Sequence, residues 1–247
     1  MPYTFHMLRR LGFDKLDLPS VRMLTQAGGR LEPAVVTWFH EIMTARGGAF
    51  HVMYGQTEAA PRMTCLPSSA LPAKLGSAGL PLPGGRIEIR GADGTPLPSD
   101  AQGHVVYQGP NVMMGYAEDT SDLALGDVHG DRLETGDLGS LDADGYLFLG
   151  GRTTRIAKVY GTRISLDEVE QMLQGGGPVA VVAGPDSLVV HCEGADEDGF
   201  DDRRRRLAHD LRVPVSAVRF RRTDPLPRTP NGKIDYRTLE ARGKRSA

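Results

Sequence analysis

The sequence is poor in cysteine, in net charge and in long apolar runs, and each shortage argues against a class of protein. Its two cysteines, Cys65 and Cys192, lack the paired spacing of a zinc site, and their scarcity favours reduced thiols in a cytoplasmic protein. The net charge of −2 gives no electrostatic reason to expect nucleic acid or an anionic membrane as a partner. No apolar run reaches the length of a membrane span.

Familiar catalytic signatures are also absent. The sequence contains no GxxxxGKS or GxxxxGKT loop, no GxGxxG after a strand, no HExxH and no GxSxG. Its seven histidines are scattered, and a single histidine is more often structural than catalytic. An active site would therefore have to be built from other polar side chains.

The first 150 residues have the pattern of a partial parallel α/β layer followed by short antiparallel strands. A helix near Pro33–Ala45 lies between two short apolar runs, Val21–Thr25 and Phe50–Met53, which predicts parallel strands joined by a right-handed crossover. From Gly76 onward, alternating strands and glycine-rich turns predict a small, distorted antiparallel barrel. We interpret residues 1–150 as one large domain of the α/β class.

Residues 151–247 are predicted to form a smaller, mobile α+β domain. It opens with GRTTRIAKVYGTRIS, Gly151–Ser165, which we interpret as a hinge because the character of the sequence changes there. A capping box at Ser165–Glu168 predicts a helix that continues to about Gln174. Short strands and a second helix over Asp201–Leu211 complete the pattern.

Polar side chains follow a predicted strand at YGQTE, Tyr54–Glu58. Open α/β sheets place ligands at strand ends, where Tyr54 could stack on a base and Glu58 could hold Mg²⁺. Asp137 is predicted to follow another strand, and its carboxylate suits the two hydroxyls of a ribose. Arg152 lies one hairpin further along and can fold back beside Asp137.

A lysine, Lys233, is predicted at the tip of a loop that is stiffened by prolines and turned by Asn231–Gly232. Such a lysine can reach a cleft and meet a developing negative charge. Each of these residues also fits an ordinary role, as a core tyrosine, a turn aspartate or a surface lysine. The residues alone support a nucleotide site only as one of two readings.

The order of the motifs gives a resemblance to a known family. YGQTE, GPNVMMGY (Gly109–Tyr116), TGDLG, GRTTRIAKVYG and PRTPNGK follow one another as they do in adenylate-forming enzymes. This AMP-dependent synthetase and ligase superfamily includes acyl-CoA synthetases, luciferases and the adenylation domains of nonribosomal peptide synthetases. The resemblance implies that a small carboxylic acid is activated with ATP and Mg²⁺ as an acyl-adenylate. The acyl group then passes to the thiol of coenzyme A or of the phosphopantetheine on a carrier protein.

The resemblance also implies roles for individual residues. The implied nucleotide-binding residues are Gly28, Gly29, Arg30, Tyr54, Asp137 and Arg152. Of these, the glycines and Arg30 line the adenine and acyl pocket, and the tyrosine stacks on adenine. The aspartate binds the ribose, and the second arginine supports it.

The implied catalytic residues are Thr57, Glu58 and Lys233. Thr57 and Glu58 contact the phosphates, with Glu58 as the Mg²⁺ ligand, and Lys233 bridges the substrate carboxylate and the α-phosphate. Lys158 and Gly161 correspond to the region that approaches the thiol acceptor after the second domain rotates.

The sequence departs from the family in two places. Thr154 stands at the hinge position, which is usually Asp or Lys. The family's phosphate-binding loop, which lies in its N-terminal half, does not occur in residues 1–247. We therefore expect a truncated ligase that works with a complementary chain or as a homo-oligomer. The alternatives are a stand-alone acyltransferase that uses a preformed adenylate or thioester, and a non-catalytic module that binds carrier proteins.

Overall fold

The computed structural model describes residues 2–173, 175–194, 197–230 and 232–244. The chain forms two compact units, Met1–Gly150 and Gly151–Ala247. The helix end predicted at Gln174 and the turn residue Asn231 lie outside the described residues. That the second unit is a mobile domain stays a prediction.

The first unit opens with helices around a four-stranded sheet. Its elements are α1 (Pro2–Arg10), β1 (Met23–Gln26), α2 (Pro33–Ala45), β2 (Ala49–Tyr54), β3 (Thr64–Leu66) and β4 (Leu80–Pro81). The strands lie in the order β1-β2-β3-β4, with β1 and β2 parallel and the later pairs antiparallel. The predicted parallel pairing on either side of a helix is confirmed.

Helix α2 fixes the position of β2. It begins at Pro33, whose restricted φ suits a first helical turn. Its buried side chains recur at helical spacing: Val35, Val36, Phe39 and Met43. The Phe39 ring lies 5.0 Å from Phe5 and 5.9 Å from Phe50 of β2, between ring centroids. This aromatic packing holds the strand against the helix and so places the loop that follows the strand.

A second sheet of the first unit is antiparallel. Its strands are β5 (Arg86–Arg90), β6 (Gly103–Gln108), β7 (Arg132–Leu141) and β8 (Leu147–Arg152), in the order β5-β6-β7-β8. These are the strands of the predicted barrel, but within the described part of the chain they form an open sheet. A barrel filled by side chains takes about eight strands, so four strands are too few to close one.

The second unit is built on a three-stranded sheet with helices on both faces. Its elements are β9 (Ile156–Val159), β10 (Thr162–Ser165), α3 (Leu166–Met172), β11 (Val179–Gly184), β12 (Ser187–Cys192), α4 (Phe200–Leu211), β13 (Val218–Arg222) and α5 (Tyr236–Lys244). Strand β12 is central and buried along its whole length, antiparallel to β11 and parallel to β13. The Ser165 hydroxyl accepts a hydrogen bond from the Glu168 amide at 3.3 Å, which confirms that half of the predicted capping box.

The two units together confirm the predicted α/β and α+β class. Among the described residues, no helix is both long enough and apolar enough to cross a membrane.

Candidate functional site

The candidate site lies at the carboxyl edge of the parallel pair β1 and β2. Since the two strands run in the same direction, the segment Gly28–Arg30 after β1 and the segment Gly55–Glu58 after β2 leave the sheet at one edge. Gly28 has φ of 80°, a left-handed conformation that glycine adopts without strain. The buried side chain of Gln26 donates to the Gly29 carbonyl at 2.5 Å and fixes this loop.

The structure brings Tyr54 together with Asp137. The Tyr54 hydroxyl donates to Asp137 Oδ2 at 2.5 Å, and the Gln56 amide nitrogen donates to the same oxygen at 3.0 Å. Gln56 also donates to the Thr135 carbonyl at 2.6 Å. Only 6% of Asp137 is exposed, so these charge-assisted bonds compensate for the removal of its carboxylate from water.

The prediction that Asp137 follows a strand is wrong, because the residue lies inside β7. One residue of β6, Val105, there faces three residues of β7, Thr135 to Asp137, which forms a bulge. Gly136 at the bulge has φ of 72°, a conformation that strains other residues. Thr135 closes the bulge, since its hydroxyl donates to the Val105 carbonyl at 2.7 Å and accepts from the Asp137 amide at 3.1 Å. A bulge re-aims the side chains of its strand, and here it accompanies the pairing of Asp137 with Tyr54.

The turn after Tyr54 carries the other two predicted residues of this edge. Thr57 is exposed, Glu58 is half-buried, and both belong to the short 3-10 turn Thr57–Ala59. The Tyr116 hydroxyl donates a hydrogen bond to Glu58 Oε1. The donor set for a metal is small: over the described residues, no group of three or more His, Cys, Asp or Glu side chains could hold an ion. A Mg²⁺ ion fits Glu58 only if nucleotide phosphates supply further oxygen ligands, as is usual for this ion.

Sequence reasoning missed four residues of this edge: Gln56, Asn111, Tyr116 and Thr135. Each lies inside a motif that is visible in the sequence. The sequence could not show the role of these residues, because each contacts a residue distant in the chain or a backbone group whose placement depends on the fold.

The remaining predicted residues belong to the second unit. Lys158 is an exposed residue of β9, and Gly161 forms a tight turn with Tyr160. Both turn residues have positive φ, 46° and 84°, as a two-residue hairpin turn of type I′ requires. The backbone amide of Arg152 donates to Asp167 Oδ2 at 2.9 Å. The roles predicted for Arg152, Lys158 and Gly161 stay predictions.

Lys233 is exposed on a closed loop between β13 and α5. The Thr229 amide donates to the Lys233 carbonyl at 2.8 Å, and the Gly232 amide donates to the Thr229 carbonyl at 2.8 Å. The backbone around Lys233 is therefore held while its side chain faces solvent. The role predicted for Lys233 stays a prediction.

Comparisons with known proteins point to the same family as the ordered motifs. The family model described as "AMP-binding enzyme" matches residues 1–117. The feruloyl-CoA synthase of an Amycolatopsis species is 34% identical over 235 residues, which cover 88% of this chain and 45% of that protein. The fatty acid–[acyl-carrier-protein] ligase ScoC of Streptomyces coeruleorubidus is 31% identical, with coverage of 96% and 47%.

A solved structure with the same fold is the amide bond synthetase McbA from Marinactinospora thermotolerans. It superposes with a TM-score of 0.77 at 28% identity, over 97% of this chain and 50% of McbA. The chain thus spans about half the length of the curated relatives and of the structure that it matches. Ordered motifs, fold and relatives agree: residues 1–117 match the AMP-binding enzyme family, and the chain is similar to adenylate-forming enzymes over about half of their length.

Proposed function

We propose that this chain binds the adenylate part of an acyl-AMP and takes part in ATP-dependent activation of a carboxylic acid, followed by acyl transfer to a thiol. The observation that supports this most directly is the buried carboxylate of Asp137, held by Tyr54 and Gln56 at the end of β2. An ionised carboxylate that is fixed in direction is a good acceptor for the hydroxyls of a ribose.

Several side chains would act on the nucleotide and the acid in this proposal. Tyr54 would offer its ring to adenine while its hydroxyl orients Asp137, and the Gly28–Arg30 loop would form the pocket wall at the same edge. Thr57 and Glu58 would contact the phosphates, with Glu58 as the protein ligand of Mg²⁺. Lys233 would approach the α-phosphate and offset the negative charge that builds there as the carboxylate attacks.

The acyl-transfer step is proposed from the names of relatives. The names of two of them include coenzyme A and an acyl carrier protein, so a thiol is the proposed acceptor here. Lys158 and Gly161 would face that acceptor, and Arg152 would support the ribose site. The phosphate-binding loop would come from outside residues 1–247.

The nucleotide site is tested by AMP binding to Asp137→Asn, measured by calorimetry. The control is Glu134→Gln, an exposed carboxylate on the same strand that pairs with Arg132. A hydrogen bond to a charged group is worth about 1.5–3 kcal/mol, so we expect Asp137→Asn to bind AMP roughly 10- to 100-fold more weakly. Binding that is equal in both variants, or absent from the unchanged chain, would overturn the proposal.

The chemistry is tested by ATP–pyrophosphate exchange over a panel of acids, with the chain alone and with candidate partner chains. Exchange by the chain alone would exclude both the need for a partner and a purely carrier-binding role. Acyl transfer from a supplied acyl-adenylate, without exchange, would instead favour the acyltransferase reading. In that case, substitution of Lys158 should lower the transfer rate.

A further inference from the structure

The turn that carries Glu58 is tightly constrained by its own backbone. The Met63 amide donates to the Tyr54 carbonyl at 2.9 Å, which closes the loop between them. At position 55 a Cβ atom would lie 2.2 Å from the Pro61 carbonyl oxygen, so only glycine fits there. Within the turn Thr57–Ala59, however, the preceding residue makes no side-chain cap hydrogen bond. Groups from elsewhere in the unit also contact this turn and Glu58.

A second segment, Gly109–Tyr116, supplies those groups. The Asn111 side-chain amide donates to the Ala59 carbonyl at 2.6 Å and to the Arg62 carbonyl at 3.0 Å. Its carbonyl oxygen accepts from the Tyr107 hydroxyl at 2.6 Å, which fixes the orientation of the amide. One side chain thus ties the end of the turn at Ala59, and Arg62 after it, to the antiparallel sheet.

The backbone of the same segment reaches Glu58 itself. The Met113 amide donates to the Glu58 carbonyl at 2.8 Å. Three residues later the Tyr116 hydroxyl donates to the Glu58 carboxylate, and this bond raises the pKa of the tyrosine. Tyr116 is 69% exposed, so little of its ring is buried in a core. The hydroxyl group, rather than the ring, is the part of this side chain with a specific partner.

We propose that Asn111 and Tyr116 are positioning residues for the divalent cation that accompanies the nucleotide: Asn111 holds the turn and Tyr116 directs the Glu58 carboxylate. The proposal rests on the proposed function, since phosphate oxygens must complete the coordination of the ion: among the described residues, no group of three or more His, Cys, Asp or Glu side chains could hold one. A hydrogen-bond donor that orients a ligating carboxylate commonly changes metal affinity by about 10- to 100-fold when it is removed. Removal of the donor should leave metal-free binding of the nucleoside part unchanged, because the hydrogen bond between Tyr54 and Asp137 does not involve Glu58.

The experiment uses Tyr116→Phe in the full chain, with Tyr3→Phe as the control, because Tyr3 is another exposed tyrosine of the same unit. AMP binding without metal and ATP binding across a Mg²⁺ titration are both measured by calorimetry. For Tyr116→Phe we expect AMP affinity within about twofold of the unchanged chain and a Mg²⁺ requirement for ATP about tenfold higher. Tyr3→Phe should match the unchanged chain in both.

Failure of the positioning role and failure of the proposed function give different results. A chain that binds AMP normally but shows the same Mg²⁺ requirement in Tyr116→Phe would overturn the positioning role alone. A chain that binds no AMP would overturn the proposed function and this inference with it.

Asn111 is tested by a variant of nearly equal size, Asn111→Asp, which keeps an acceptor for Tyr107 and removes both donors. Amide hydrogen exchange at Met113 reports whether the turn is still held, because that amide bonds to Glu58. We expect faster exchange at Met113 together with a higher Mg²⁺ requirement for ATP, and unchanged AMP affinity. Faster exchange with an unchanged Mg²⁺ requirement would mean that Asn111 is structural only, and unchanged exchange would refute its hold on the turn.

Discussion

The two units use polar side chains in opposite ways. In the first unit, Asp137, Tyr54 and Gln56 converge at a strand end that continues into the exposed residue Thr57. In the second unit, a comparable group around Arg155 and Glu170 closes upon itself. In the first arrangement, the fixed polar groups lie at a sheet edge beside an exposed residue. In the second, the polar groups bond to one another and hold helices to a sheet.

The closed group is centred on Arg155, which lies in the predicted hinge Gly151–Ser165. Arg155 Nη2 donates to Glu170 Oε1 at 2.7 Å and to the Val181 carbonyl at 2.9 Å, and its Nε lies 3.1 Å from Asp167 Oδ1. Its guanidinium lies 3.6 Å from the centre of the Tyr236 ring. The Tyr236 hydroxyl donates to Glu170 Oε2 at 3.0 Å. These bonds join α3, β11 and α5 to the start of the unit.

Burial sets the charges of this group. Removal from water raises the pKa of Glu170, and Arg155 acts against that rise. Burial and the neighbouring Glu170 also raise the pKa of Tyr236. The comparison teaches that a motif identifies important residues without saying whether they serve chemistry or architecture. Satisfied partners on every side indicate architecture.

The largest expected effect is on stability, from Glu170→Gln. This change leaves Arg155, with a side chain only 15% exposed, without its main counter-charge. Breaking a buried pair by removing one partner costs about 3–5 kcal/mol of unfolding free energy. Urea denaturation should show this loss, whereas Asp202→Asn should change little because its pair with Arg205 is solvent-exposed. Equal stability of the two variants would contradict the architectural role.

Next in size is a pH effect from His191, which is 2% exposed in β12. Burial, together with Arg221 and Arg242, lowers its pKa from 6.5 to about 4. Because the folded pKa lies below the unfolded value, the unfolded chain binds the proton first. The contribution of His191 to the unfolding free energy is therefore fully present above pH 6.5. It falls by about 3 kcal/mol as the pH drops to 4.

The variant His191→Gln isolates this contribution of His191 to the pH dependence of stability. Its unfolding free energy, measured by urea denaturation between pH 7 and 4, should fall less steeply than that of the unchanged chain. His209→Gln is the control, because the His209 side chain is 90% exposed. A slope that His191→Gln leaves unaltered would show that other groups cause the acid sensitivity.

A moderate effect is expected from Gly55→Ala at the candidate site. The added Cβ would lie 2.2 Å from the Pro61 carbonyl oxygen, so the backbone of the turn must shift. Such overpacking costs about 1–3 kcal/mol. AMP binding should weaken with it, because Tyr54 and Gln56 flank the position. Gly199→Ala, where a Cβ meets nothing within 4 Å, provides the matched control in thermal melting and calorimetry.

The smallest effect on stability is expected from Lys233→Ala, since this side chain is exposed on its loop. Thermal melting should coincide with that of the unchanged chain, while any ATP–pyrophosphate exchange should be lost. Loss of exchange with normal stability would complete the contrast between chemistry and architecture within the second unit. Retained exchange would remove Lys233 from the proposed mechanism.

The sequence by itself determined the features that depend on neighbouring residues. The helix Pro33–Ala45 has the predicted bounds, because hydrophobic period and a first-turn proline are local signals. The order of the motifs likewise identified the family before any contact was known.

Only the tertiary structure decided which polar residues meet. Tyr54 and Asp137 are 83 residues apart, and Arg155 and Val181 are 26 apart. The bulge that carries Asp137 arises from the pairing of β7 with β6, so a regular strand followed by a loop was the natural but wrong reading. Hydrogen bonds between distant segments leave no period in the sequence, because they are fixed by packing rather than by spacing. From its sequence, the hinge motif Gly151–Ser165 could therefore bind a ligand or hold a helix. For Arg155, the buried partners show that it holds a helix.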